Sequence, residues 1–335
     1  MEQKHEKLTQ LSNICALAIF VVVLGHSIIL YSSGWGTYET ARVCPFLDAL
    51  KSVINIFQMP LFFSLFGFLF AFTHRKKRGF LHLLKSKGLR LMVPFLTVGL
   101  LFMLPLRFAI GYPGYWEASP LQAVKGFLLL ENMGHLWFLP TLFLIFLLSE
   151  LILAAADHLP GLKKVPELVL AVVSAVIYLE GYRFTFGSAN LLNVYVNLLW
   201  FTLGYVFCVH RALISRLYRH AWLKFGLLTL NILLAAYCFH TGTVHFLVSL
   251  TLTGLYILNA YGAMPEKSCA LTEKLSKNSF GIYLFHSPLI YITFTLIPNV
   301  SPLIVVFINL VVFGAAAYGL TNLVRRLKLN FVIGE

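Results

Sequence analysis

AIFVVVLGHSIIL, residues Ala18 to Leu30, is apolar enough to sit in lipid and yet contains a histidine. Extended to residues 11–31, the run holds no Asp, Glu, Lys or Arg. As an α-helix it is about 31 Å long at ~1.5 Å of rise per residue, enough to cross a hydrocarbon core of about 30 Å. The rest of the chain is of the same kind. Its 335 residues are 59% hydrophobic and 12% charged, with a mean hydropathy of +0.81. That composition excludes an ordinary soluble domain and specifies a polytopic membrane protein.

Ten apolar windows predict spans at residues 11–31, 50–72, 89–110, 135–156, 168–182, 193–210, 222–240, 243–262, 278–297 and 302–324. The fifth is short. The tight HTGT turn between the seventh and eighth also fits one long re-entrant element, so eight to eleven spans bracket the count. The expected fold is all-α: a transmembrane helix bundle of about ten spans, forming one membrane domain over residues 1–335. Charge orients it. With the N-terminus inside, 21 of the 26 Lys and Arg face the cytoplasm, and only Arg42, Lys51, Arg107, Lys125 and Arg183 lie toward the outer side. This asymmetry predicts an even number of spans with both termini cytoplasmic. The net charge of +13 is then mostly topological and meets anionic lipid headgroups, not nucleic acid.

Cys15, Cys44, Cys208, Cys238 and Cys269 show no paired spacing, so no disulfide framework is implied. The first apolar run is too long for a signal peptide and lacks a small-residue cleavage pattern, so it is expected to stay as a helix. Between the second and third spans, THRKKRGFLHLLKSKG, Thr73 to Gly88, carries six basic residues, and Arg90 follows. Its GFLHLLKSKGLRLMVP portion predicts an amphipathic helix lying on the inner surface, with Phe80, Leu83 and Leu84 toward lipid. Such a loop is either an ordinary positive-inside segment or a docking surface for a phosphate-rich cytosolic substrate.

His26 is the first candidate for chemistry, because an ionisable side chain inside a span must face protein or a water-filled cavity. Charging such a group there costs roughly 2.5–3.5 kcal/mol on insertion scales. The neutral imidazole is therefore the expected state, and it is the form a general base needs. NMGHLWFLPTLF places His135 and Trp137 at the outer mouth of the fourth span. KNSFGIYLFHSPLIY places Ser279, Tyr283 and His286 along the ninth, and NIFQMPLFFSLFGFLF puts Asn55 and Gln58 on the second. Taken singly, each of these is more often a satisfied interhelical hydrogen bond than a catalyst. No metal-ligand spacing appears, so no metal is expected, and no GxSxG, P-loop or GxGxxG motif is present.

LGHS closing an apolar first helix, QMPLFFSLFGFLF in the second, a basic loop leading to LRLMVP, then GHLWFL and SFGIYLFH resemble, in order and over nearly the whole chain, the acyltransferase-3 family of integral-membrane O-acyltransferases. The fucose-4-O-acetylase-like branch is the most similar. The resemblance implies a ten-helix bundle, typically in a bacterial cytoplasmic membrane, that moves an acyl group, usually acetyl, from cytoplasmic acyl-CoA to a hydroxyl of a carbohydrate or a lipid-linked or surface glycan. It puts the essential first-helix histidine on His26. The basic segment that would meet CoA falls on Arg75, Arg78, Lys85, Lys87 and Arg90, and the aromatic and histidine motifs fall on His135, Trp137, Ser279, Tyr283 and His286. Two positions depart from the family pattern. Cys15 stands where Arg or Lys is common eleven residues before the histidine, and Gln58 stands where His often precedes Met-Pro.

These implications predict a mechanism. The basic segment holds CoA phosphates, the pantetheine arm enters the bundle, and His26 deprotonates the acceptor hydroxyl. Asn55, Gln58 or Ser279 stabilise the oxyanion, and Trp137, Tyr115 and Trp116 stack on the sugar. Direct transfer and an acyl-histidine route stay open. A transporter or flippase of a lipid-linked glycan or small hydroxylated solute is the alternative, although no inverted repeat supports it. A non-catalytic scaffold or sensor is a third reading.

Overall fold

The structure, a computed structural model, describes residues 9–32, 43–74, 79–115, 119–180, 189–241, 246–297 and 299–335. Arg75, Arg78 and Trp116 lie outside the described residues. Among the described residues twelve helices follow one another: α1 Thr9–Ser27, α2 Pro45–His74, α3 Phe80–Ile110, α4 Pro120–Leu128, α5 Phe138–His158 and α6 Pro166–Glu180, then α7 Ala189–Val209, α8 Arg211–Tyr218, α9 Ala221–Thr241, α10 Phe246–Ala263, α11 Ala270–Leu296 and α12 Pro302–Arg326. No strand occurs among the described residues. Among the described residues eight helices are long and apolar enough to cross a membrane, up to nine if the pair α7–α8, bent by 79°, counts as one span. The expected fifth span is the 15-residue α6, only about 22 Å long. The fold is an all-α polytopic bundle.

Three expectations change. α9 and α10 are two antiparallel helices, joined by Asn231 Nδ2 donating to the Leu252 carbonyl and Asn259 Nδ2 to the Leu227 carbonyl, and each is long and apolar enough to cross a membrane by itself, which favours two spans over one re-entrant element. The surface helix expected after Thr73 is instead the start of α3, which runs from Phe80 to Ile110 without a loop. At about 46 Å, α3 exceeds the hydrocarbon core, so its first turns extend beyond it. His26 stands one residue from the end of α1 and not mid-helix; a tight turn over Ile29–Tyr31 follows.

The continuity of α3 has a local cause. GLRLMVP, Gly88 to Pro94, and GLLFMLP, Gly99 to Pro105, repeat one pattern, and each opens with a π-helical turn ahead of its proline. Proline has no N–H and its ring crowds the carbonyl four residues back; a widened turn relieves both without ending the helix.

Two other prolines create interhelical bonds. Pro60 in α2 leaves the Ile56 carbonyl without its helical donor, and Thr253 Oγ1 of α10 donates to it at 3.0 Å. Pro288 in α11 likewise frees the Leu284 carbonyl, and His135 Nε2 takes it at 3.1 Å. Inside lipid every backbone group needs a protein partner, so each proline selects a partner side chain on a neighbouring element.

α1 packs between α2 and α11, and α2 makes its most extensive contact with α7. At that crossing a Cβ on Gly67 would run into the Phe201 backbone, and one on Gly204 into the Ser64 backbone. Backbones approach this closely only through small residues. At the periphery α9 leaves Phe225, Ile232 and Leu233 exposed, as a lipid-facing helix does.

Hydrogen bonds fix which helix ends share a face. Gln10 reaches the carbonyls of Tyr261 and Met264, and Asn13 those of Pro265 and Lys267. Arg325 at the end of α12 binds Asn278, the Lys277 carbonyl and Glu335. Gly334 abuts the Arg90 backbone. The start of α1, the α10–α11 connection, the first turns of α3 and residues 330–335 therefore lie together, on what is called the N-face below.

Candidate active site

Toward the opposite face the helices part around a cavity of about 550 Å³. Its wall takes His26 from α1, Lys51, Asn55, Gln58 and Met59 from α2, and Arg107 from α3. The residues before α5 contribute Asn132, His135 and Trp137, and α11 contributes Tyr283, Ser287 and Tyr291. The α1–α2 approach depends on Gly25, where a Cβ would collide with Gln58 Oε1 and lie 3.2 Å from Lys51 Nζ. Gly25 thereby brings two polar side chains of α2 beside His26.

Three histidines meet at this wall, His26 and His135 in it and His286 behind them. The His26 and His286 rings are 5.0 Å apart and edge to face, and those of His135 and His286 are 5.6 Å apart. Carbonyl partners set the tautomers, since a carbonyl only accepts. His286 Nδ1–H points at the carbonyls of Ile282 and Tyr283, at 3.0 and 2.9 Å. Its Nε2 is then an acceptor, 3.2 Å from His26 Nδ1. His26 Nδ1–H is shared with the Val22 carbonyl at 2.9 Å. The His26 Nε2 lone pair is left for the cavity. His135 donates Nε2–H to the Leu284 carbonyl and accepts nothing at its buried Nδ1, while the Tyr283 hydroxyl donates to the His135 carbonyl. The His26 and His286 nitrogens face each other through a hydrogen bond and not toward a common point, so the pair is no ligand set. No cluster of metal-ligating side chains occurs among the described residues.

Of the sequence-predicted residues, His26, Asn55, Gln58, His135, Trp137 and Tyr283 line the cavity, and His286 contacts three of them, His26, His135 and Tyr283. Gln58 donates to Asn55 Oδ1 at 3.2 Å and keeps its buried Oε1 unpartnered. Ser279 lies elsewhere. Its hydroxyl donates to the Ser276 carbonyl at 2.9 Å and receives the Cys15 thiol at 3.1 Å, about 16 Å along α1 from His26. A neutral Cys–Ser pair thus fills the level where the family's basic residue is common. Lys85 and Arg90 are exposed near the N-face, whereas Lys87 turns inward with Nζ 4.1 Å from the centre of the Phe146 ring. None of these three lines the cavity.

Lys51 and Arg107 were not among the sequence candidates, although both line the cavity and are only 3% and 4% exposed. Arg107 donates through Nη1 to the Tyr115 hydroxyl at 2.7 Å and the Asn132 carbonyl at 3.1 Å, and through Nη2 to the Tyr291 hydroxyl at 3.4 Å. The signal was available in the charge distribution: both are cations inside predicted spans, on the side that positive-inside sorting depletes.

An open cavity with an oriented imidazole, a free nitrogen lone pair, hydrogen-bonding amides and aromatic walls can accept a proton from a bound hydroxyl. The acyltransferase-3 family model, described as an acyltransferase domain, matches residues 12–321. No curated protein and no solved structure matches the chain. With that match running from α1 into α12, the chain belongs to the acyltransferase-3 family and is a membrane acyltransferase.

Proposed function

We propose that this acyltransferase is an O-acetyltransferase of the fucose-4-O-acetylase-like kind, held in a bacterial cytoplasmic membrane, that moves acetyl from cytoplasmic acetyl-CoA to a carbohydrate or lipid-linked glycan hydroxyl. The observation that carries this reading is the His26 imidazole, whose Nδ1–H is fixed by Val22 and His286 while Nε2 opens on the cavity. The N-face is the cytoplasmic face, as the positive-inside pattern predicts. Its cations suit CoA phosphates: Lys85 and Arg90 are exposed there, and several charge-assisted contacts offset desolvation. The pantetheine arm enters the bundle from that face to reach His26.

The acceptor hydroxyl gives its proton to His26 Nε2 as its oxygen attacks the thioester carbonyl carbon. The C–S bond then breaks, the departing thiolate takes that proton, and ester and free CoA result. While protonated, His26 keeps its Nδ1–H on the Val22 carbonyl and the His286 lone pair. Asn55 and the second Nε2 proton of Gln58 serve the oxyanion, an effect commonly worth about 2.7–4 kcal/mol per donor. Trp137 and Tyr115 provide stacking faces for a sugar.

The test uses membranes holding equal amounts of wild type and His26→Ala, supplied with radiolabelled acetyl-CoA and a glycan pool. Wild type transfers label to glycan with release of CoA, and the variant falls by about 10²- to 10⁴-fold. Transfer within a few-fold of wild type removes His26 as the base. Glycan movement across vesicles without CoA release favours the transporter instead.

A further inference from the structure

We infer that the acceptor carries an anionic group, a carboxylate or a phosphate, which docks between Lys51 and Arg107 on the side of the cavity away from the N-face. The inference rests on the acyl-transfer reading for the word acceptor, and on independent geometry for the anion.

Both cations are almost fully buried in the cavity wall. Among the described residues no carboxylate makes an ion pair with either. Arg107 is held only by neutral groups, the hydroxyls of Tyr115 and Tyr291 and the Asn132 carbonyl. Rings of Tyr112, Tyr115 and Tyr291 surround the guanidinium at 4.9, 5.3 and 5.2 Å, which fixes its plane. Its Nε is buried and unpartnered. Glu131, the acid in the cavity lining, is exposed, and its Oε2 lies against Gly126 of α4.

Two buried cations without counter-charge are expensive inside a membrane protein. A neutral sugar leaves both unpaired. An anionic group receives the Lys51 ammonium through a charge-assisted hydrogen bond and supplies counter-charge to the buried Arg107 guanidinium. The anion is not that of CoA, because Lys51 begins α2 and Arg107 ends α3, away from the N-face cations proposed for its phosphates. Tyr112 and Trp137 beside the pair supply the faces on which a sugar ring stacks.

The purified full-length chain in detergent is titrated with glucuronate, glucose 1-phosphate and glucose, with thermal stabilisation as the readout. Stabilisation by glucuronate alone assigns a carboxylate, by glucose 1-phosphate alone a phosphate, and by both a site selective for charge. Lys51→Met and Arg107→Lys each weaken the half-saturating concentration by at least about tenfold. Lys51→Met also raises the unliganded melting temperature, because it keeps the packing and removes an uncompensated charge. His26→Ala retains anion binding, which separates this inference from the acyl-transfer reading. Equal stabilisation by glucose, no stabilisation by any of the three, or anion binding unchanged in both cation variants overturns it.

Discussion

At the residue scale the account turns on why an imidazole at the end of α1 has one nitrogen spoken for and one free. His26 was legible, because an ionisable group in an apolar run demands a protein or water-filled environment. Its partner was visible only as a type: SFGIYLFHSPLIY carries a histidine, yet nothing in the spacing shows that its Nε2 meets His26. That meeting depends on α1 and α11 packing together and starting from the same face. His286 acts through His26, so it is a positioning residue. His286→Ala is expected to lower kcat about 10²-fold, as misplacement of a reacting group does, with KM for acyl-CoA unchanged. A rise in KM with kcat intact would contradict that role.

At the element scale, proline and glycine explain features that hydropathy alone does not report. QMP and HSP read as polar spots in apolar helices. In the bundle, Pro60 and Pro288 free the two carbonyls that receive Thr253 and His135. GLRLMVP and GLLFMLP read as plain apolar helix, because the hydrophobic pattern does not distinguish a π-turn from an α-turn. The surface helix expected after Thr73 failed for the same reason: α3 keeps helical geometry through Gly88. The α2–α7 crossing yields a stability prediction. Gly67→Ala forces a methyl into the Phe201 backbone and should cost about 1–3 kcal/mol, the usual range for overpacking, read as a lower melting temperature in detergent. Gly254→Ala on α10 meets nothing within 4 Å, and should leave stability equal or raise it by about 0.5–1 kcal/mol. Equal effects at the two sites would refute the close-approach argument.

At the scale of the whole molecule, the all-α membrane fold was legible from hydropathy, and the start of α1 shares the N-face with residues 330–335. Which membrane side that face meets is open to direct measurement. Cys269 is exposed at the start of α11 on the N-face, and hydrogen bonds from the backbone and side chain of Thr272 push its thiol below the usual range. Cys44 precedes α2 on the opposite face and is half-buried. With single-cysteine variants, a membrane-impermeant maleimide should label Cys269 only in inside-out vesicles and Cys44 only in right-side-out ones. The reverse pattern would invert the orientation. The clasp at residues 330–335 carries its own pH signature. The Arg325 hydrogen bond holds the Glu335 carboxyl below its ordinary range. Its contribution is therefore complete above that range and is lost as pH falls through the folded value. Glu335 is partly exposed, so the pair contributes about 0.2–1 kcal/mol. Hydrogen exchange in residues 330–335 should quicken in acid for wild type and lose that dependence in Glu335→Gln.

The central claim, proton removal by His26 during acyl transfer to a glycan, is tested most directly by mass spectrometry of surface and lipid-linked glycans from cells lacking the gene and complemented with wild type or His26→Ala at equal membrane abundance. The account predicts a defined sugar heavier by one acyl group with wild type and unmodified with His26→Ala. The same acyl group restored by both chains, or by neither, would contradict it.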